Sequence, residues 1–288
     1  MKNGWMKGEN LMSKFDIEYN KLVETILEKG VMSEGKVRTK YADGTPAHYK
    51  TIIGYQFRLD NSGDEAQLIT TRYAPYKSAI REIYWIWKQR SNKLEDLRKL
   101  KCKFWDEWEL GDGTIGPAYG AALANNVFEF DNQVDYIINE LKNSPNSRRI
   151  ISEIWIPKDL SAMALTPCVH LTQWSVLNGK LYLEVRQRSC DIALGLVSNV
   201  FQYSVLHKLI AKEVGLEPAD LIWTIHNAHI YDRHIDDIKE QIKRLQYPKF
   251  TLDLSKVKSF SEWSNPDDII VPDYAETITH KISYEVAI

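Results

Sequence analysis

The chain has 288 residues, 44% of them hydrophobic and 26% charged, with 37 basic against 39 acidic residues and a formal net charge of -2. That length and mixture can bury a sizeable core and exclude a disordered or low-complexity protein. The even charge balance excludes a general polyanion-binding surface but leaves room for a local basic pocket.

No apolar run approaches the roughly 20 residues of a membrane-spanning helix. Residues 1–13 hold lysines and methionines without an apolar centre, and read as a disordered or tag-like start rather than a secretory signal. From residue 14 onward, Phe15, Tyr19, Leu22 and Ile26 recur at helical spacing, and Gly30 stands where that helix would stop. Lys36 to Asp60 is turn-rich, then strand-like at Tyr55–Leu59. Ile80, Ile83, Tyr84 and Trp87 predict a second helix containing Glu82, and Val134, Ile137, Ile138 and Leu141 predict a third that ends at Asn143-Ser144-Pro145-Asn146. Over 171–189, two alternating runs flank Asn178-Gly179, the preferred pair of a two-residue hairpin turn. Leu181, Leu183 and Val185 then share one face, and Tyr182, Glu184 and Arg186 the other. Asn199 to Lys212 is apolar around most of its circumference, which predicts a buried central helix. Strands and helices mix without a strict βαβ rhythm, repeat or linker, so 14–288 reads as one α+β domain.

The three cysteines, Cys102, Cys168 and Cys190, lack a C-x-x-C spacing. They make neither a disulfide framework nor a zinc site, and they fit a reducing, cytoplasmic setting. A free cysteine is most often a small buried hydrophobe. Cys168 differs because the hairpin should return Arg188 to its side, where a cation favours the thiolate. His170 lies two residues on and would share a strand face with Cys168, but protease dyads draw the two residues from distant segments. Arg38, Arg148, Arg149 and Arg188 each sit beside a turn or strand end; converging, they would hold a phosphate by charge-assisted bonds, while singly each would pair with a surface carboxylate. Asn199 could read a pyrimidine edge, since its amide both donates and accepts. Trp105, Trp108 and Tyr119 offer faces to a flat heterocycle, or serve simply as core.

The order of these pieces resembles the thymidylate synthase family. The resemblance rests on Pro167-Cys168, Gln187-Arg188-Ser189-Cys190-Asp191, Leu194-Gly195, Asn199 and His229-Ile230-Tyr231. Upstream it includes Arg38-Thr39, Glu82-Ile83-Tyr84-Trp85, Trp105-Asp106-Glu107-Trp108, Gly116-Pro117-Ala118-Tyr119-Gly120 and Arg148-Arg149, and it ends at Val286-Ala287-Ile288. Arg38-Thr39-Lys40, Asp43 to His48 and Val200-Phe201-Gln202-Tyr203 look most like the Bacillus and Bacillus-phage branch.

The resemblance implies a single large domain with a mixed β-sheet and flanking helices, in a homodimer. It implies one-carbon transfer from 5,10-methylenetetrahydrofolate to C5 of dUMP, with no metal, through addition of Cys168 to C6. On that reading Arg38, Arg188 and Ser189 hold the phosphate, with Arg148 and Arg149 reaching in from the second subunit. Gln187, Cys190 and Asp191 lie in the strand along the nucleotide. Asn199 reads uracil, His229 and Tyr231 bind the ribose, and Glu82 and Tyr119 manage protons. Asp191 binds the pterin, while Phe104, Trp105, Trp108, Leu194, Gly195 and Ala287 border the folate.

Several positions depart from the family pattern. Val197-Ser198-Asn199 replaces the usual Pro-Phe-Asn, and Phe104 stands where an aliphatic residue is usual, which suggests a size swap in which the Phe104 ring fills the space beside Ser198. Without that compensation water would enter, and the alternative is a dUMP 5-hydroxymethyltransferase. His226-Asn227 replaces Gly-Asp, Val169 stands for a histidine, and Pro75 for a folate-side histidine. An RNA-binding regulator that kept the fold is a third reading, disfavoured by the presence of Cys168 and the arginines.

Overall fold

Helix α1 (Lys14–Lys29) forms where the apolar spacing predicts it, with Phe15, Tyr19, Leu22 and Ile26 fully buried and Gly30 as its C-cap. The computed structural model describes residues 12–288. The expectation for the N-terminus lies largely outside those residues, and at its end it is corrected. Met12 bridges to Pro248, while Ser13 is buried, donates to the Leu68 carbonyl at 3.0 Å and accepts from the Asp16 N–H. A serine there satisfies an open N–H of the first helical turn. Residues 12 and 13 therefore belong to the packed chain.

Strands β1 (Val31–Met32) and β2 (Tyr49–Asp60) lead to α2 (Tyr76–Ile83). That helix changes pitch after Ile83 and runs into one π-helical turn, Tyr84–Lys88, which buries Tyr84, Trp85, Ile86 and Trp87 in succession. Four consecutive residues of an α-helix sweep most of its circumference, so the amphipathic pattern stops there because structure lies on every side. Short helices α3 (Leu94–Lys99) and α4 (Gly120–Leu123) precede α5 (Gln133–Asn143), which Asn132 caps and which ends at Ser144. Strand β3 (Ile151–Glu153) is followed by the hairpin β4 (Val169–Leu177) and β5 (Lys180–Asp191). Asn178 and Gly179 have φ of 51° and 73°, the two positive values that a type I′ turn needs. Helix α6 (Gly195–Val214) begins a turn earlier than predicted, then β6 (Glu217–Tyr231), α7 (Ile235–Ile242) and α8 (Tyr274–Thr277) complete the chain.

The six strands form one mixed sheet in the order β1-β2-β6-β5-β4-β3. Neighbours are antiparallel except β5 and β6, which run parallel because α6 carries the chain back between them. Leu181, Leu183 and Val185 of β5 and Leu221, Trp223 and Ile225 of β6 are fully buried on the face that packs against α6. Tyr182, Glu184 and Arg186 point the other way and retain exposure. The expected α+β fold, a mixed sheet with flanking helices, is the one formed. Among the described residues no helix is long and apolar enough to cross a membrane.

One irregularity positions the functional residues. From Leu177 opposite Lys180 to Leu171 opposite Arg186 the β4–β5 register is constant, but at His170 it slips by one, and Val169 pairs with Gln187. Such a bulge re-aims the strand that carries it. The regular register would continue to Cys168 opposite Ser189; with the slip, the Arg188 N–H donates to the Cys168 carbonyl at 2.9 Å.

The Ser13 cap gives a test of where the folded chain begins. Ser13→Ala removes both the cap and the bond to Leu68, and should lower stability by roughly 1–2 kcal/mol, seen as a lower urea midpoint. A midpoint equal to that of the parent would show that the cap contributes nothing.

Candidate active site

A cavity of about 160 Å³ is lined by Glu82, Phe104, Trp105, Trp108, Tyr119, Cys168 and Asn199, among others. Five segments distant in sequence thus meet: α2, the aromatic stretch before Glu109, the turn before α4, the loop that leads into the edge of β4, and the first turns of α6.

Cys168 lies half-buried just before β4. Arg188 sits against it, with Nη2 4.0 Å from Sγ. The guanidinium is anchored by Nε donating to the Pro167 carbonyl (2.8 Å) and by Nη2 donating to Thr166 O (2.8 Å) and Oγ1 (2.9 Å), and it stacks over Trp155 at 5.4 Å. Burial pushes the thiol above its ordinary value, and the opposing pulls of Arg188 and then Arg38 do not overcome it. The expected stabilisation of the thiolate by Arg188 is present in direction but smaller than desolvation, so the resting group is the neutral thiol. Arg38, in the exposed loop between β1 and β2, acts on both Cys168 and Tyr231.

Glu82 is 8% exposed and accepts from Trp105 Nε1 at 2.7 Å and from the Gln202 amide. Burial outweighs both donors and lifts its pKa from 4.5 to about 7. A carboxyl near neutrality in a cavity can give or take a proton at working pH. Tyr119 stands on a positive φ of 48°, at the start of α4, and its hydroxyl accepts weakly from the Cys168 N–H at 3.5 Å. Its ring meets Trp105 edge-on at 5.0 Å, and Trp105 meets Trp108 at 5.3 Å. These faces, with Phe104 at the rim, fit a flat heterocycle.

Asn199 projects from the second turn of α6, with Oδ1 accepting from Gln187 Nε2 (3.2 Å) and Nδ2 donating to Gln202 Oε1 (3.1 Å). Gln187 is 2% exposed and lies behind Asn199. Asp191 ends β5, where its Oδ1 accepts from Ala193 N at 2.9 Å and Leu194 N at 3.4 Å, just before Gly195 opens α6. Ser189 and Asp191 pair with Asn227 and His229 on β6. Cys190, between them, is fully buried.

His229 Nδ1 bonds Asn227 Oδ1 at 2.9 Å, and burial lowers its pKa, so the ring is neutral with Nε2 left as an acceptor. It packs on Tyr231 at 5.0 Å and Tyr49 at 5.2 Å. Ala287 packs beside Tyr41, Ala47 and Tyr231, while Ile288 exchanges two backbone bonds with Lys40, so the chain end lies across the loop that carries Arg38.

Two placements differ from the sequence reading. The Phe104 ring is 44% exposed against Trp105 at 6.5 Å, and Ser198 does not line the cavity, so the size swap is not formed. His170 does not join Cys168 at the cavity, because the bulge breaks the strand alternation. Arg148 and Arg149, expected at a second subunit's site and not at their own, are exposed on a separate hollow of about 470 Å³ with Phe128 and Tyr136, apart from the Cys168 cavity of this chain. The site residue that sequence reasoning missed is Gln202. Its signal was a second amide three residues after Asn199 on an otherwise apolar helix, which puts both on one face.

The Glu82 environment sets a pH dependence of stability. Its folded pKa lies above the ordinary 4.5, so the folded chain keeps a proton that the unfolded chain releases. That contribution is complete below pH 4.5 and is lost as pH rises to about 7, at up to about 1.4 kcal/mol per pH unit. Glu82→Gln should flatten the fall in urea midpoint over this window; an equally steep fall in the variant would show that another group titrates there.

Comparison with known proteins agrees with this geometry. The family model described as thymidylate synthase matches residues 17–288. A thymidylate synthase of Fusobacterium nucleatum is 62% identical over 96% of this chain and 100% of that protein. One of Bacillus phage phi3T is 44% identical over 96% of this chain and 100% of its own length, so the likeness to that branch is real but smaller than that to the Fusobacterium protein. The solved structure of thermostable thymidylate synthase A from Bacillus subtilis superposes with a TM-score of 0.89 at 44% identity, covering 95% of this chain and 99% of that one. From the first helix to the last residue, the chain belongs to the thymidylate synthase family.

Proposed function

We propose that this chain methylates dUMP at C5 with 5,10-methylenetetrahydrofolate, releasing dTMP and dihydrofolate. The observation that carries the reading is a thiol and a near-neutral carboxyl, Cys168 and Glu82, sharing one aromatic-walled cavity in a member of the thymidylate synthase family. Cys168 Sγ forms a bond to C6 of the uracil ring, the C5=C6 electron pair moves toward C5 and O4, and C5 becomes the carbon nucleophile. Arg188, the stronger of the two cations acting on the thiol, takes up the charge as the thiol ionises. The reduced folate supplies the one-carbon unit and then the hydride that completes the methyl group. Loss of the C5 proton and expulsion of Cys168 restore the ring, with Glu82 holding and moving protons near O4 and Tyr119 placed by the thiol for the C5 proton.

Binding follows from the same residues. Arg38, Arg188 and Ser189 receive the 5′-phosphate of dUMP. Arg148 and Arg149, exposed and away from this chain's own cavity, complete the phosphate site of a neighbour in a homodimer. The neutral His229 and Tyr231 take the ribose hydroxyl, and Asn199 reads N3–H and O4. Asp191 and Leu194 meet the pterin, Phe104, Trp105 and Trp108 supply its walls, and Ala287 brings the chain end over the site to exclude water. We place the enzyme in the cytoplasm, where its three unpaired cysteines stay reduced. Water capture to give 5-hydroxymethyl-dUMP has no support from the relatives, which are thymidylate synthases at 62% and 44% identity.

Product analysis with dUMP and methylenetetrahydrofolate tests the reaction. Equal amounts of dTMP and dihydrofolate are expected; hydroxymethyl-dUMP with tetrahydrofolate would overturn it. Cys168→Ser should lower turnover by several orders of magnitude while dUMP still binds, measured by single-turnover kinetics and calorimetry. Near-normal turnover would remove Cys168 from the nucleophile's role.

A further inference from the structure

The turn Asp232–His234 that follows β6 meets both the loop carrying Arg38 and the end of the chain, and Arg233 reaches the two at once. Its Nη2 donates to Asp43 Oδ2 at 2.7 Å and to Thr45 Oγ1 at 2.6 Å, while its Nη1 donates to Glu285 Oε2 at 2.8 Å. The guanidinium carbon stands 4.0 Å from the centroid of the Tyr41 ring. The Tyr41 hydroxyl in turn donates to Asp232 and accepts from the Arg233 backbone N–H at 3.3 Å. His234, the next residue, donates from Nε2 to the Glu285 carbonyl at 2.8 Å. Farther along, Ile288 and Lys40 exchange two backbone bonds.

These attachments do different things. The Lys40–Ile288 pair joins the terminus to the loop but leaves the two free to swing together, and the His234 bond fastens Glu285 to the end of the sheet without touching the loop. Arg233 binds loop and terminus through one side chain, anchored on the residue after Asp232. A guanidinium is a rigid plane whose N–H groups point in fixed directions, so it sets Asp43 and Glu285 relative to each other as well as to β6. All three side chains are more than a third exposed, so each ion pair adds little to global stability. Detachment of a loop or a chain end is a local event that is opposed by far less than global unfolding, and there one ion pair weighs heavily. We propose that Arg233 is a positioning residue that couples the two segments, so that a change at Asp43 is felt in folate binding and a change at Glu285 in dUMP binding, as the reciprocity of coupled sites requires. The inference rests on the reading of Arg38 as a phosphate ligand and of the chain end as the cover of the folate side.

The test is calorimetric titration of the full chain, first with dUMP and then with dihydrofolate at saturating dUMP, a pair that does not react. Asp43→Asn and Glu285→Gln keep the side-chain shapes and remove one ion pair each. Asp43→Asn, in the loop, should weaken dihydrofolate binding about five-fold, and Glu285→Gln, at the chain end, should weaken dUMP binding about five-fold, the equivalent of about 1 kcal/mol for one exposed pair. Arg233→Gln should produce both changes, and in its background the other two substitutions should add nothing. A merely structural role would not give that pattern of crossed and non-additive effects. Arg38→Gln, read on dUMP, and a chain ending at Glu285, read on dihydrofolate, are the references for the underlying reading. If both references weaken their ligand but the crossed effects are absent, or persist undiminished in the Arg233→Gln background, the coupling through Arg233 is refuted and the binding reading stands. If either reference keeps the parent Kd, that reading falls and the coupling falls with it.

Discussion

The one-residue slip between β4 and β5 is the constraint on which the site depends. It sets Cys168 against Arg188, and the same backbone bond holds the loop Thr166-Pro167 where the guanidinium can be anchored. Strand β5 is paired on its other edge with β6, so the register also fixes Ser189 opposite Asn227 and Asp191 opposite His229. A regular ladder would leave each of those pairs intact and yet move the arginine away from the thiol. One bulge thus decides which residue of the Gln187-Arg188-Ser189 run faces the cysteine.

Around that constraint, burial outweighs charge. Desolvation is the first influence on Cys168, Glu82 and His229 alike, raising the two acids and lowering the base, so the interior of the site is held near neutral. The positive charge sits at the margins: Arg188 is fastened to backbone carbonyls, and Arg38 is on an exposed loop. This division suits a dianionic phosphate at the rim and a weakly polar ring within, where protons move without a full charge being stranded.

The loop carrying Arg38 is itself held from two sides. Ile288 pairs with Lys40, and Arg233 bridges Asp43 and Glu285 while lying 4.0 Å over the Tyr41 ring. These ion pairs are exposed and individually weak, but together with the small cluster of Tyr41, Ala47 and Tyr231 they tie the chain end to the end of β6. The loop carrying Arg38, the end of β6 at His229 and Tyr231, and the terminus therefore lie together although they are far apart in sequence.

Local order was legible because it follows from local physics. The apolar period of α1, the Asn178-Gly179 turn and the two-faced alternation of β5 need no information from elsewhere, and each forms where the residues imply. The order of short motifs identified the family, since Cys168, Arg188, Asn199 and His229 each have one chemically apt role in it. What the chain could not reveal as a string were the effects of tertiary contact. The π-turn after Ile83 buries four successive side chains, the β4–β5 register slips at His170, and Phe104 lies exposed against Trp105, and none of these follows from the local pattern. Gln202 looked like one more helix residue until folding set Glu82 against it. Sequence alone determined which functional groups are present and which elements carry them; only the folded sheet decided which donor meets which acceptor, because a one-residue change of register alters every pairing while leaving the composition of the strand unchanged.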